Sequence, residues 1–289
     1  MKMIKNPYKG KTKSEIIVYT VASVIMGLFA FSYVLSFGWA IMAGANTHNA
    51  VVLEPFKWPE QWHWENYIDV MEILEVRGVD FWGMIVNTMI LVIVMPVLGI
   101  AGTMVIAYVC AKYTFPGKNL LLAVNIVVMT LPIFGTTGAT YALYKSLGMI
   151  DSWTLVFAGI GNFGGNFLYF LSCFKGISNT YGEAARIDGA GHMKIMLKIN
   201  FPMAAGTTSA LWILALIARW NDSGTSLLYW PNMPTLATGI YLFNIQTVYR
   251  VRQDILMAAT VISAIPPMIV FAIAHKKILS NVTFGGIKG

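Results

Sequence analysis

The chain has 289 residues, 57% hydrophobic and 11% charged, with a formal net charge of +7 and a mean hydropathy of +0.64. A soluble domain carries about 25% charged residues, so this chain has too few to cover a water-facing surface, and lipid must cover much of it. Its basic residues lie in the gaps between long apolar runs, which argues against nucleic acid as a partner and for a protein embedded in a bilayer.

A helix needs about 20 apolar residues to cross the hydrocarbon core. Six segments reach that length without an Asp, Glu, Lys or Arg: 16–53, 81–111, 119–144, 152–174, 199–218 and 255–275. They predict an all-α polytopic membrane protein with six transmembrane helices. In chain order, residues 1–15 form a basic tail, 16–280 the transmembrane domain and 281–289 a second short tail. In the first tail, Gly10-Lys11-Thr12 matches the end of a phosphate-binding loop, but Lys5 stands where that loop needs a glycine. The first apolar run is too long for the core of a cleavable signal peptide and is read as a span.

A loop at about 44–80 follows, containing Trp58-Pro59-Glu60-Gln61-Trp62-His63-Trp64-Glu65-Asn66-Tyr67. Its aromatics suit either an interfacial belt or contact with an external protein. Within 152–174, Gly159-x-Gly161-x-x-Gly164 matches a dinucleotide fingerprint by letter, but no strand precedes it. Gly161-x-x-x-Gly165 predicts close helix packing instead. Residues 223–249 are uncharged too, yet Trp230-Pro231-Asn232-Met233-Pro234 makes a poor centre for a span. They are read, within a loop at about 221–253, as an outside loop or a partly inserted hairpin.

Charge placement sets the orientation. The N-terminal tail, the second and fourth loops and the C-terminus hold fourteen of the 20 Lys and Arg residues. Lys and Arg concentrate on the cytoplasmic side, which predicts both termini inside. Cys110 and Cys173 are read as small buried hydrophobes. His48, His63, His192 and His275 share no metal-ligand spacing, so neither a metal site nor a catalytic cluster is expected.

The fourth loop, about 175–202, faces the cytoplasm in this topology and reads as helix, turn, helix. Thr180-x-x-Glu183 has the spacing of a capping box, Asp188-Gly189 that of a turn with Gly189 at positive φ, and Met193, Met196 and Leu197 share one face of the second helix. Ala184, Ala185, Gly189, Ala190 and Gly191 carry little side chain and permit close approach by another surface. An apolar helix face offered to the cytoplasm suits a groove in a partner.

Glu183-Ala184-Ala185-x-x-Asp188-Gly189-Ala190, with a spaced Pro202, resembles the EAA loop of ABC importer permeases, in the form of the carbohydrate-uptake, maltose-type second permease. Asn66-Tyr67, Asn87-Thr88, Trp220-Asn221-Asp222 and Gly285-Gly286-Ile287-Lys288-Gly289 extend the resemblance along nearly the whole chain. Two features depart from it: Ser178 stands near the place of a usual proline, and Gly206 where a second proline often follows Pro202. The resemblance implies a type I importer fold in a bacterial inner or plasma membrane, and a non-catalytic subunit coupled to an ATPase through Glu183, Ala184, Ala185, Asp188, Gly189, Ala190, Met193, Met196 and Leu197. It further implies a second homologous permease, a cytoplasmic ATPase dimer that binds ATP and Mg, a periplasmic or extracellular solute-binding protein, and a sugar substrate. This chain itself holds no cofactor in that scheme.

A sugar pathway needs hydrogen-bonding groups and aromatic faces. Asn162 and Asn166, at i, i+4 in the fourth run, together with Tyr141 and Trp220, are the candidates. The alternative is a secondary transporter or channel working without an ATPase, which predicts a mid-membrane ionisable residue or inverted repeats. Neither is evident in the sequence.

Overall fold

The computed structural model describes residues 12–131, 135–161, 163–246 and 252–282. These are arranged as helices, loops and an isolated bridge between Val76 and Val79. The backbone clusters into two compact units, residues 1–70 with 250–262 and residues 71–249 with 263–289.

In the first unit, α1 (Lys13–Gly44) opens on a capping box. The Thr12 hydroxyl accepts from the Glu15 amide at 3.4 Å, and the Glu15 carboxylate accepts from the Thr12 amide at 2.7 Å. Residues 17–36 are exposed throughout, so this helix, apolar on every side, is built to face lipid or another chain. The charge-free run extends to residue 53, and the helix within it ends at Gly44. Its last carbonyls are taken by side chains, as helix ends require. Tyr67 Oη donates to Ile41 O at 2.9 Å, and Asn66 Nδ2 donates to Gly44 O at 3.0 Å and Asn46 O at 2.9 Å. Asn66 Oδ1 accepts from Arg252 Nη2 at 3.0 Å, and Arg252 pairs with buried Asp254 at 2.6 Å. Gly44 has no room for a side chain, since a Cβ there would lie 2.9 Å from Ala258 N. The short α2 (His48–Leu53) and α3 (Asn66–Ile73) follow.

The second unit is built around α4 (Phe81–Lys112), whose N-terminus is capped by Asp80 accepting from Gly83 N at 2.9 Å. After it come α5 (Lys118–Thr130), α6 (Thr136–Ser146), a 3-10 helix (Trp153–Gly159) and α7 (Gly165–Gly176). Then follow α8 (Thr180–Ile187), α9 (His192–Ile195), a π-turn (Met196–Asn200), α10 (Phe201–Met203) and α11 (Ala205–Trp220). A hairpin of α12 (Ser223–Tyr229) and α13 (Leu236–Gln246) precedes α14 (Gln253–Val282). Within the unit, α4 packs against α7, α11, α13 and the 3-10 helix.

Among the described residues, three helices are long and apolar enough to cross a membrane: Lys13–Gly44, Phe81–Lys112 and Gln253–His275. His192–Met203 and Ala205–Trp220 qualify only together, bent by 71°. The predicted third and fourth runs are both broken, the third between α5 and α6, the fourth between the 3-10 helix and α7. Gly161 (φ 73°) and Gly164 (φ 137°) make the second break, in backbone conformations that other residues rarely adopt.

The glycines of this break pack closely, though against α4 and not through a helical Gly161–Gly165 stripe. A Cβ on Gly99 would stand 2.9 Å from Gly159 O, and one on Gly102 would stand 2.6 Å from Gly161 N. Backbone therefore lies directly on backbone.

The uncharged stretch from Ser223 folds as the α12–α13 hairpin. Trp230 is fully buried at its tip and donates from Nε1 to Ser152 O at 2.7 Å. Asp151 holds Asn232 through two bonds, at 2.9 and 3.0 Å. Asn87 Nδ2 donates to Pro234 O at 3.0 Å, and Thr88 Oγ1 accepts from Leu236 N at 2.8 Å. The Asn87-Thr88 pair thus clamps the hairpin to α4.

Candidate functional site

The segment after α7 is a helix pair joined by a tight turn. The end of α8 forms a Schellman motif: Gly189 N donates to Arg186 O at 3.0 Å and Ala190 N to Ala185 O at 2.8 Å, with Gly189 at φ +78°. Nothing lies within 4 Å of where a Gly189 side chain would begin, so within this chain the glycine answers a backbone demand only. On the inner side of the pair, Gly182 would bring a Cβ to 3.5 Å from the Ile195 side chain.

The predicted capping box does not form. Helix α8 is capped by Asn179, whose side chain makes no cap bond, and Ser178 Oγ accepts from Thr180 N at 3.3 Å. Asn179 is drawn away because its Oδ1 accepts from Lys112 Nζ at 3.0 Å, while Lys112 also donates to Ile177 O. Glu183 is left exposed beside a cavity of about 120 Å³ lined by Tyr108, Lys112, Tyr113, Asn179 and Arg186.

Met196 is also placed differently from the one-face reading. It is 7% exposed and belongs to the core beneath the pair, next to buried Ile195, whereas Met193 and Leu197 are exposed. The buried stripe of this helix is centred on Ile195 and Met196, and Met193 and Leu197 fall just beyond its edge. Ala184 and Asp188 are exposed, and Ala185 and Ala190 are half-buried. Sequence reasoning missed Ile187, the most exposed large apolar side chain of the segment at 88%, and Tyr181 at 53%. An isoleucine ending α8, directly before the Asp-Gly turn, was the available signal.

Beneath the pair, rings tie α4, α7 and α10 together. Tyr108 meets Phe174 edge-on at 5.6 Å and Phe201 at 6.2 Å, and Phe174 stacks on Phe201 at 5.9 Å. Tyr113 Oη shares a 2.8 Å hydrogen bond with His192 Nδ1 at the start of α9. Displacement of the helix pair therefore has a stiff path into α4 and α7.

The broken fourth run lines a second cavity, of about 360 Å³. Pro96, Gly99 and Thr103 of α4, Phe163, Gly165 and Asn166, and Ala215 and Arg219 of α11 form its wall. Non-helical backbone at membrane depth is tolerated where it is buried in protein or lines a polar cavity. Arg219, missed from sequence, pairs with Asp222 at 2.9 Å and donates to Thr225 at 3.1 Å. Burial alone would raise the Asp222 carboxyl, but hydrogen bonds from Thr225 and the Arg219 guanidinium hold it below the usual carboxylate range.

The other pathway candidates lie apart from this cavity's wall. Tyr141 stacks on Tyr229 at 6.3 Å. Trp220 is 4% exposed and donates from Nε1 to Ser263 O at 2.8 Å, a packing role. Asn162 lies outside the described residues, and Asn166 stands in the first turn of α7.

Comparison with known proteins agrees with this architecture. The family described as "Binding-protein-dependent transport system inner membrane component" matches residues 103–283. The diacetylchitobiose uptake system permease protein NgcG of Streptomyces coelicolor is 24% identical over 273 residues, covering 92% of this chain and 87% of the relative. The arabinooligosaccharides transport system permease protein AraQ of Halalkalibacterium halodurans is 26% identical over 214 residues, covering 72% of this chain and 75% of the relative. A chain from the crystal structure of a bacterial ABC transporter that imports the acidic polysaccharide alginate superposes with a TM-score of 0.76. It is 20% identical, and the match covers 92% of this chain and 98% of that one.

Proposed function

This chain belongs to the family of binding-protein-dependent transport system inner membrane components, and we propose that within it the protein is the permease subunit of an ATP-driven importer for a sugar or oligosaccharide. The observation that carries this reading is the helix pair closed by Gly189, which presents Tyr181, Ile187, Met193 and Leu197 as an uncovered apolar tip. The names of NgcG and AraQ support a saccharide as the cargo.

In this reading the broken third and fourth runs count as spans, giving six, with both termini in the cytoplasm of a bacterial cell. A second, similar permease completes the pathway. A solute-binding protein delivers the sugar, and a cytoplasmic ATPase dimer, which binds ATP and Mg, seats the helix pair in its clefts. Met193, Leu197 and Ile187 fill the cleft, Glu183 offers a free carboxylate to a cation there, and the small residues Ala184, Ala185 and Ala190 admit close approach.

Alternating access follows as a linkage. Nucleotide shifts the permease between inward-open and outward-open forms only to the extent that the ATPase binds one form better. Moving from 1:99 to 99:1 takes about 5.5 kcal/mol of differential binding. The lever is Lys112 and the Tyr108–Phe174–Phe201 ring contacts, which connect the pair to the helices lining the Asn166 cavity. That cavity supplies hydrogen-bonding groups to sugar hydroxyls from Asn166, Thr103 and the neutralised Arg219–Asp222 pair.

Affinity purification of the chain from its native membrane tests the reading. An ATPase and a second permease should accompany it, and proteoliposomes of the complex should take up saccharide only with ATP. Uptake by the chain alone, driven by an ion gradient, sinks it.

A further inference from the structure

The loop after α1 carries a feature that neither the coupling surface nor the pathway uses. Trp58, Trp62, Trp64 and Tyr67 form a continuous row of rings. Trp58 stands edge-on to Trp62 at 5.5 Å, Trp62 stacks on Trp64 at 5.2 Å with planes 6° apart, and Trp64 stacks on Tyr67 at 5.9 Å. The row is held at its base by Tyr67, which is bonded to the end of α1. Its far end is open, with Trp58 69% exposed.

Beside Trp58 is a pocket of about 350 Å³ lined by Asn46, Thr47, Lys57, Trp58, Gln61 and His63. Asn46 is 6% exposed and gives its Oδ1 to Thr47 N. Among the described residues its Nδ2 has no partner. Lys57 is matched by Glu54 at 2.8 Å and Glu60 at 3.2 Å, and His63 by Glu65 at 2.7 Å. The pocket thus combines a free aromatic face, amide donors and acceptors, and a lysine and a histidine that are each already matched by carboxylates.

We propose that this pocket is a saccharide-binding subsite for neutral sugars, with Trp58 as its platform. A sugar ring has an apolar C–H face that seats on an indole, and an edge of hydroxyls that must find partners; Asn46, Thr47 and Gln61 supply them. Rings that only anchor the chain in a headgroup layer need no polar pocket. Lys57 is already shared by Glu54 and Glu60 and His63 is bonded to Glu65, so the lining offers an acidic saccharide no unpaired basic group. The site's use, holding sugar before it is transported, rests on the importer reading, but its existence does not.

The test is sugar binding to the full-length chain in nanodiscs, read by saturation-transfer NMR and tryptophan fluorescence. Diacetylchitobiose, an arabino-oligosaccharide and an alginate oligosaccharide are the probes. At least one neutral probe should bind, and the alginate probe should bind tenfold more weakly or not at all. Trp58→Ala should weaken neutral-sugar binding at least tenfold, Trp58→Phe should retain it within about threefold, and exposed Gln61→Ala should weaken it without altering thermal stability. Trp82→Ala, an exposed tryptophan outside both cavities, should leave it unchanged. No binding of either neutral sugar, equal binding of alginate, or full binding by Trp58→Ala overturns the subsite. So does a Trp58→Ala chain that binds sugar normally and loses only capture of a solute-binding protein. ATP-dependent uptake in the assembled complex is measured separately, so loss of the subsite and loss of the importer reading are distinguishable.

Discussion

The amide of Ala190 reaches back to the carbonyl of Ala185 at 2.8 Å, and the bond closes because Gly189, between them, turns through φ +78°. A residue with a Cβ at that angle costs about 1–2 kcal/mol in strain. The surrounding space is empty, so Gly189→Ala and Gly189→Val should lose similar stability. Both should reach the membrane at normal abundance. If an ATPase seats this turn, only the bulk of valine would meet it, so Gly189→Val should abolish uptake and substrate-stimulated ATP hydrolysis while Gly189→Ala retains part of both. Equal, intact activity in the two variants removes the coupling role from this turn.

Ile187 and Met193 are 88% and 66% exposed, and their removal leaves no cavity in this chain. Ile187→Ser with Met193→Ser should therefore keep the melting temperature within a few degrees. Co-purification of the ATPase should fall sharply. A destabilised chain that still holds its ATPase contradicts the assignment.

Asn166 lines the 360 Å³ cavity and does not hold the fold together. Asn166→Leu should cut sugar uptake severalfold with little change in protein level. If uptake is unchanged, the residue is lipid- or partner-facing and the cavity is not the pathway.

The Asp222 carboxyl is held below its usual range by Thr225 and Arg219 against the opposing effect of burial. A depressed folded-state pKa adds stability above the unfolded value, about 3.9, and the gain is lost as pH falls through the folded value. Asp222→Asn should thus melt lower than wild type at neutral pH. The gap should close below about pH 4, and a gap independent of pH rules out the charge as its cause.

Trp230 fills the tip of the α12–α13 hairpin with no exposed surface and one buried hydrogen bond. Trp230→Ala should destabilise by about 3–5 kcal/mol and release the hairpin to proteolysis first. A loss below about 1 kcal/mol would mean the hairpin is held mainly by Asn87, Thr88 and Asp151.

Composition and periodicity alone determined that this is an all-α membrane protein. Long charge-free runs leave the backbone no partners in lipid but its own helices. The turn at Gly189 was also legible, because Asp-Gly after a short helical pattern admits few other conformations. Hydropathy could not locate the breaks in the third and fourth runs, since it sums side chains and ignores where backbone meets backbone. Gly159 and Gly161 leave the helix where they rest against Gly99 and Gly102, a contact between residues some sixty positions apart in sequence. The capping box failed because Asn179 stands at the cap position, which makes Thr180 the first helical residue, while the Asn179 side chain is itself claimed by Lys112, distant in sequence. Arg219 joined the cavity wall only once α11 was packed against α4. Local chemistry chose the helices, and long-range contacts that no local pattern encodes decided where they stop and which side chains share a cavity.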